Sequence, residues 1–338
     1  MKIEKDFSLK HHNTFGIDAQ ADWFVTYDSV DDLRILVRDE YFQECRYLHI
    51  GEGSNLLFLA NFHGIVLRSG ITGIEVLRES AEEIELRVGA GMIWDDFVAY
   101  CTEHGYYGVE NLSLIPGQVG SSAIQNIGAY GVEVERFITS VHTLHRRSGQ
   151  ERCFSRGECA YAYRHSTFKE AEQADYIVTH VDFRLSKVEH LALDYADLKR
   201  YFAEHDTKPT LTSVRQAVIE IRQRKLPDTQ ILGNAGSYFM NPIVPAQVAD
   251  RLRQAYPQMP VYPLEDGRVK LAAGWLIDQC GLKGYRMGRA GVYEHQALVL
   301  VNHGGATGQE IATLAEYVQQ AVLERFAVEV YPEVKYIS

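Results

Sequence analysis

The run Tyr47-Leu-His-Ile-Gly-Glu-Gly-Ser-Asn-Leu-Leu-Phe58 decides the fold class. A short apolar strand runs straight into Gly51-Glu52-Gly53-Ser54-Asn55, where glycines let backbone N–H groups turn together toward an anion with no Cβ in the way. A dinucleotide fingerprint of the Rossmann type needs a third glycine at position 56 and then a helix. Leu56 stands there instead, and Leu56-Leu57-Phe58 reads as a strand. No Gly-Lys-Ser/Thr follows, so a Walker loop is excluded as well. Taken alone, a plain β-turn accounts for the same residues.

Upstream, Ser29-Val-Asp-Asp32 opens a helix whose apolar face is Leu33, Leu36 and Val37. Downstream, Ile65-Val66-Leu67 is a further strand. These pieces predict a small α/β lobe over 1–70. From Ile71 the texture changes to longer strands, Ile84–Val88 and Ser140–Leu144, interrupted by a glycine-rich stretch from Tyr106 to Gly131 that reads as a long functional loop. Gly89-Ala-Gly-Met-Ile-Trp94 also follows a strand, but Asp95, Asp96 and Phe97 suit a helix start and give phosphate no basic partner. Near Ser213 a helix returns with Val214, Val218 and Ile221 on one stripe, carrying Arg215, Arg222, Arg224 and Lys225 on or just after it. Helices around 248–256 and 272–280 alternate with short strands such as Ala297–Asn302. The last helix has a Thr307/Glu310 capping box and the stripe Ile311, Leu314, Val318, Val322. A strand over Val328–Val330 is expected after it.

The chain has 338 residues and a formal charge of −11, which predicts more than one domain and argues against nucleic-acid binding. No stretch has the length and apolarity of a signal peptide or a membrane span, so a cytoplasmic protein with no membrane partner is expected. Cys45, Cys101, Cys153, Cys159 and Cys280 have no CxxC spacing and are read as reduced, mostly buried thiols. The histidines show no metal pattern, and no metal is expected.

Two more clusters bear on chemistry. Tyr161-Ala-Tyr-Arg-His-Ser-Thr-Phe-Lys169 sets Arg164 among aromatic residues, where its fork suits a carboxylate, although a surface salt bridge is an arginine's commoner fate. Gly233-Asn-Ala-Gly-Ser-Tyr-Phe-Met-Asn-Pro242 puts Ser237 in a tight turn without the GxSxG of a nucleophile elbow.

Together the segments GEGSNLLF, IPGQVGSSAIQNIGAYG, YAYRHSTFK, RKLPD, GNAGSYFMNP, LAAGWLIDQCGLKG and YPEV, in this order from about Asn13-Thr-Phe-Gly-Ile17 to Pro332-Glu-Val334, resemble the type I UDP-N-acetylenolpyruvoylglucosamine reductases. The resemblance implies an α+β protein: a two-lobed, non-Rossmann FAD-binding domain of the vanillyl-alcohol-oxidase type, and a smaller α/β substrate-binding domain. The boundaries expected are 1–70 and 71–223 for the lobes (the FAD-binding region about 16–188), 224–328 for the substrate domain, and 329–338 for a return segment carrying Glu333. It further implies non-covalent FAD held by Gly51, Glu52, Gly53, Ser54, Asn55, Leu56, Pro116, Gly117, Gly120, Ser121, Ser122, Gln125, Asn126, Gly128, Gly131 and Arg222. Arg164, Ser237 and Glu333 match the family's catalytic trio, and Tyr130, Tyr195, Lys225, Asn241, Lys283 and Gln296 its substrate contacts. Lys335 departs from the pattern, standing where arginine is frequent beside the flavin, and a lysine cannot reproduce a fork contact.

The reaction so implied is NADPH-dependent reduction of an enolpyruvyl UDP-amino sugar in cell-wall precursor synthesis, by a monomer, with NADPH and sugar taking turns. Hydride would pass from flavin N5 to the methylene carbon and a proton from Ser237 to the neighbouring carbon. Glu333, as an anion, would oppose the developing charge, so it is expected protonated or held by a cation. Two rivals share these features: a flavin oxidase using molecular oxygen, and a catalytically silent UDP-sugar binder.

Overall fold

The computed structural model describes residues 1–338, which divide into two compact units assembled from interleaved pieces of chain. One comprises 1–7, 21–52 and 63–222; the other comprises 8–20, 53–62 and 223–338. The interleaving is invisible to a reading that moves along the sequence, because it depends on pairings between distant segments.

In the first unit, a four-stranded sheet has the order Lys2–Ser8, Gln20–Tyr27, Phe62–Ser69, Tyr47–Ile50, with the last two strands parallel. The Ser29 hydroxyl caps the helix Val30–Leu36 by accepting from Asp32 N at 3.0 Å, and Leu33 and Leu36 are buried as their spacing predicts. Tyr27, Leu33, Phe42 and Leu67 share a core with Leu144 and Ile177 of the second lobe.

That second lobe is a five-stranded antiparallel sheet, ordered Glu151–Ser155, Ile138–His145, Tyr176–Ser186, Glu83–Gly89, Ile74–Glu79. Strand side chains alternate between faces, so Ile84, Leu86, Val88, Val181 and Phe183 bury against Trp94 and Phe97 of the helix Trp94–Glu103. On the opposite face Asp182 accepts from Arg87 (2.9 and 3.1 Å) and Ser140 (2.8 Å), with His142 Nε2 at 2.7 Å.

The stretch 106–131 is not the open loop its composition suggests. It holds a helical turn at Glu110–Leu112, the helix Val119–Gln125 and a two-residue hairpin pairing Gly128–Ala129 with Val132–Glu133. Burial of Val119 and Ala123 outweighs the poor helix propensity of the glycine and serines between them.

In the second unit, Gly233–Ser237, Val299–Asn302, Ala290–Val292 and Arg286–Met287 form an antiparallel sheet, and Ile243–Pro245, Arg268–Leu271 and Val261–Pro263 a smaller one. The helix Gly308–Phe326 carries the expected capping box, with its stripe fully buried. Val328–Val330 does not form the expected strand: its apolar residues are buried as irregular chain, and the strand is Lys335–Ile337, parallel to Leu56–Phe58. The five cysteines are unpaired; Cys101 and Cys159 are buried and Cys45 and Cys280 partly so, whereas Cys153 is exposed. No helix is long and apolar enough to cross a membrane.

Candidate active site

Each unit gathers its own share of the residues singled out above. In the first, the carboxylate of Glu52 accepts from Gly117 N at 2.7 Å, bringing the end of the strand Tyr47–Ile50 to the glycine-rich stretch. Gly51 lies so close that a Cβ there would sit 3.3 Å from Ser121 Oγ. Gln118 anchors this contact, donating from Nε2 to Ser69 O (3.1 Å) and Gly91 O (2.8 Å) and capping the helix Val119–Gln125 together with Ser121. Gly120 N donates to Ala90 O at 2.9 Å. The Ser122 hydroxyl is turned back on Val119 O, and Asn126 donates to Ala162 O and Glu133, so both side chains are spent on the protein itself.

Arg164 binds this same stretch, with Nη2 donating to Gly128 O at 2.7 Å and Nη1 to Asn126 O at 3.3 Å. Its φ is 56°, and Tyr130, before Gly131, has φ 48°. Neither residue takes up the left-handed region without cost, and such strain persists where surrounding structure over-determines the backbone. Tyr130 meets Tyr195 edge-on, ring centroids 5.3 Å apart, and Tyr195 begins the helix Ala196–His205. Asn111, missed in the sequence, holds both segments by donating to Tyr130 O (3.0 Å) and Ala192 O (2.8 Å).

In the second unit, Asn55 Nδ2 donates to Glu333 O (3.2 Å), Asn55 O accepts from Lys335 N (3.0 Å), and Glu333 N donates to Tyr238 O (2.8 Å). The loop 53–55, the return segment and the residue after Ser237 are thus tied together through backbone. Lys335 meets Asn55 through its main chain, which any residue type supplies. Ser237 is exposed at the end of a strand whose turn is held by Asn234, which accepts from Gly236 N at 2.9 Å. Asn241 Oδ1 accepts from Ala273 N at 3.0 Å, at the start of the helix Ala273–Gln279, and Gly274 lies against Gln296. Lys283 faces Asp278 at 3.7 Å on the surface, and Lys225 ends the helix Leu211–Lys225.

Two buried polar atoms test whether the first unit suits a flavin. Gln125 Oε1 and Arg222 Nε have no hydrogen-bond partner, though native proteins satisfy nearly all such atoms. Burial pushes the Arg222 pKa down, while Tyr130 and Asp95 nearby favour its charge. An unsatisfied amide oxygen and a guanidinium with an unsatisfied Nε, near a glycine-lined stretch, fit a large, polar, anionic cofactor. Asp95, by contrast, is a structural clamp, as the lack of a basic partner after Gly89–Trp94 suggested: Arg215 grips it at 2.7 and 2.9 Å.

An α+β fold with backbone-lined glycine segments, no Rossmann unit and two orphaned buried polar atoms suits a flavin-binding protein. Residues 21–152 match the model of an FAD-binding domain, and residues 227–337 that of the UDP-N-acetylenolpyruvoylglucosamine reductase C-terminal domain. Relatives named UDP-N-acetylenolpyruvoylglucosamine reductase include one from Porphyromonas gingivalis, 55% identical over 100% of both chains, and one from Bacteroides fragilis, 50% identical over 99% of this chain and 100% of its own. The crystal structure of the enzyme from Thermus caldophilus shares the fold, with TM-score 0.68 and 23% identity over 100% of each chain. The chain belongs to the UDP-N-acetylenolpyruvoylglucosamine reductase family, and is an FAD-dependent oxidoreductase.

Proposed function

We propose that this chain reduces UDP-N-acetyl-enolpyruvoylglucosamine to UDP-N-acetylmuramate at the expense of NADPH, in the synthesis of peptidoglycan precursors. In this reading residues up to 223 form the flavin-binding domain, which also lends Tyr130, Arg164 and Tyr195 to the substrate; 224–328 form the substrate-binding domain, and 329–338 return Glu333 to the site. One observation carries it: the backbone of Glu333 is pinned between Asn55 of the glycine loop and Tyr238, the neighbour of Ser237, so the second unit brings three of the family's motifs together.

The groups offered to FAD are the main chain of 51–56 and of 116–131, with Gln125 and Arg222 as side-chain partners. When bound, FAD would supply the hydride chemistry that links NADPH to the enolpyruvyl double bond. Arg164 stabilises the charge that gathers on the substrate carboxylate through charge-assisted hydrogen bonds. Ser237 gives its proton to the adjacent carbanion; a hydroxyl is a weak acid, but a carbanion is base enough to take it. Glu333 is protonated, or held by a cation, when the carbanion forms. Tyr130, Tyr195, Lys225, Asn241, Lys283 and Gln296 bind the sugar nucleotide.

The test is anaerobic. Purified protein is yellow and is bleached by NADPH, and the enolpyruvyl sugar restores the colour. Ser237→Ala leaves bleaching intact and slows recolouring by roughly 10²–10⁴; equal slowing of both steps removes Ser237 from this role. Turnover in air without nicotinamide identifies an oxidase instead, and colourless protein a silent binder.

A further inference from the structure

Asn13 is 5% exposed, and its amide closes a turn of chain on itself. Nδ2 donates to Leu9 O (2.8 Å) and Ile17 O (3.0 Å), while Oδ1 accepts from Ile17 N (2.9 Å). Both donors and the acceptor are engaged, so the side chain fixes the backbone on either side of it. That backbone faces two ways. Thr14 N donates to Gly53 O at 3.3 Å, and Thr14 O accepts from Asn234 N at 3.0 Å. Phe15 O accepts from Asn302 Nδ2 at 2.9 Å, on the strand that pairs with Gly233–Ser237. The fit against the loop is tight: Gly53 has φ +65°, and a Cβ on it would lie 2.1 Å from His12 O. Two consecutive peptides, Asn13–Thr14 and Thr14–Phe15, therefore space the glycine loop from the serine turn.

We infer that Asn13 is a positioning residue for the reduction, acting through Thr14 on both the flavin-binding loop 53–55 and the turn that carries Ser237. The inference rests on the roles proposed above for FAD and for Ser237. It touches neither ligand itself. Losing three buried hydrogen bonds frees the Thr14 peptide, and two consequences separate this role from a general loosening of the fold.

The experiment uses the FAD-loaded enzyme in the two anaerobic half-reactions, with melting temperature followed alongside. Asn13→Ala raises the FAD dissociation constant roughly 10-fold or more. At saturating FAD it slows recolouring by the enolpyruvyl sugar roughly 10-fold, while bleaching by NADPH changes by less than about threefold. In a double variant with Ser237→Ala, Asn13→Ala slows recolouring by no further factor, because its effect passes through the serine. Multiplying effects in the double variant, or unchanged FAD affinity in the single one, overturns the inference. If Asn13→Ala does not fold, Asn13→Asp keeps the acceptor to Ile17 N and loses the two donated bonds, and unchanged FAD affinity there overturns the inference equally. A wild-type protein that is not bleached and recoloured sinks the proposed reaction instead, whereas intact wild-type half-reactions with independent variants sink only the role of Asn13.

Discussion

Arg215 and Arg222 stand two turns apart on one helix, Leu211–Lys225, and the protein treats them in opposite ways. Arg215 forks onto both oxygens of Asp95, whose Oδ1 also accepts from Leu114 N at 2.5 Å. Arg222 has a buried Nε with no partner in the protein. Two cations of the same type on one helix thus divide into a clamp that is complete within the protein and a donor with one N–H left over, which the proposed function gives to FAD. Tyr130 and Asp95 favour the Arg222 charge, so what is left over is a single buried N–H, and an orphaned buried donor costs about 1–3 kcal/mol.

The comparison breaks most sharply at the clamp. Arg215→Ala strands the half-buried carboxylate of Asp95 and lowers unfolding stability by roughly 2–3 kcal/mol, measured by urea denaturation, with FAD affinity unchanged once the protein is folded. Burial alone would raise the Asp95 pKa, but Arg215 and the Leu114 N–H outweigh it and hold it below the usual value. The carboxylate therefore stabilises the fold above the ordinary aspartate range, and that contribution disappears as pH falls through the depressed value. Arg215→Ala removes that acid-side slope, and a variant keeping it would show that the clamp is not the cause.

At the other end of the helix, Arg222→Lys keeps the positive charge and loses the fork. Under the proposed flavin assignment it weakens FAD by about 2 kcal/mol, roughly 30-fold, seen as flavin released on dilution. Melting of the flavin-free protein changes by less than FAD affinity does, since a buried cation is present in either case. Loss of stability with FAD affinity intact would turn Arg222 into a second clamp and erase the distinction.

What the sequence revealed follows the same divide. Features written in nearest neighbours were legible: the Thr307/Glu310 capping box, the Ser29 cap, the Val214/Val218/Ile221 stripe. So were the segments whose order gave the family. Which of two arginines is satisfied was not legible, because Asp95 lies 120 positions from Arg215. Asn13 appeared only as the edge of a resemblance, since its consequence runs through Thr14 backbone to Gly53 and Asn234. Local apolar content misplaced the last strand for a related reason: Val328–Val330 is buried by packing, while Lys335–Ile337 becomes a strand because Leu56–Phe58 is there to pair with it.

A titratable group without a charged partner gives a third, smaller test. The His49 ring lies just before Gly51, with Nε2 2.9 Å from the Tyr27 hydroxyl, and burial pushes its pKa down to about 4. The unfolded chain then binds the proton more readily, so stability is fully present above about pH 6.5 and declines as pH falls toward 4. Between pH 6.5 and 5.5 the loss attributable to His49 is about 1 kcal/mol. His49→Gln flattens that part of the stability profile, and an unchanged slope would assign it to another group.

The smallest effect belongs to a pair that looks on paper like Arg215 and Asp95. Lys283 and Asp278 carry opposite charges 3.7 Å apart, but their side chains are 40% and 45% exposed. Water screens such a pair, and holding a lysine in one rotamer cancels most of what attraction remains. Asp278→Asn should change unfolding stability by less than about 0.5 kcal/mol. Its effect appears instead in ligand binding: with Lys283 proposed to meet the sugar nucleotide, removing the competing carboxylate leaves that cation to the substrate, and KM falls slightly at low salt and converges with wild type at high salt. A KM that rises would mean that Asp278 orients Lys283 rather than competing for it, and would place this exposed pair on the same side of the comparison as the half-buried clamp.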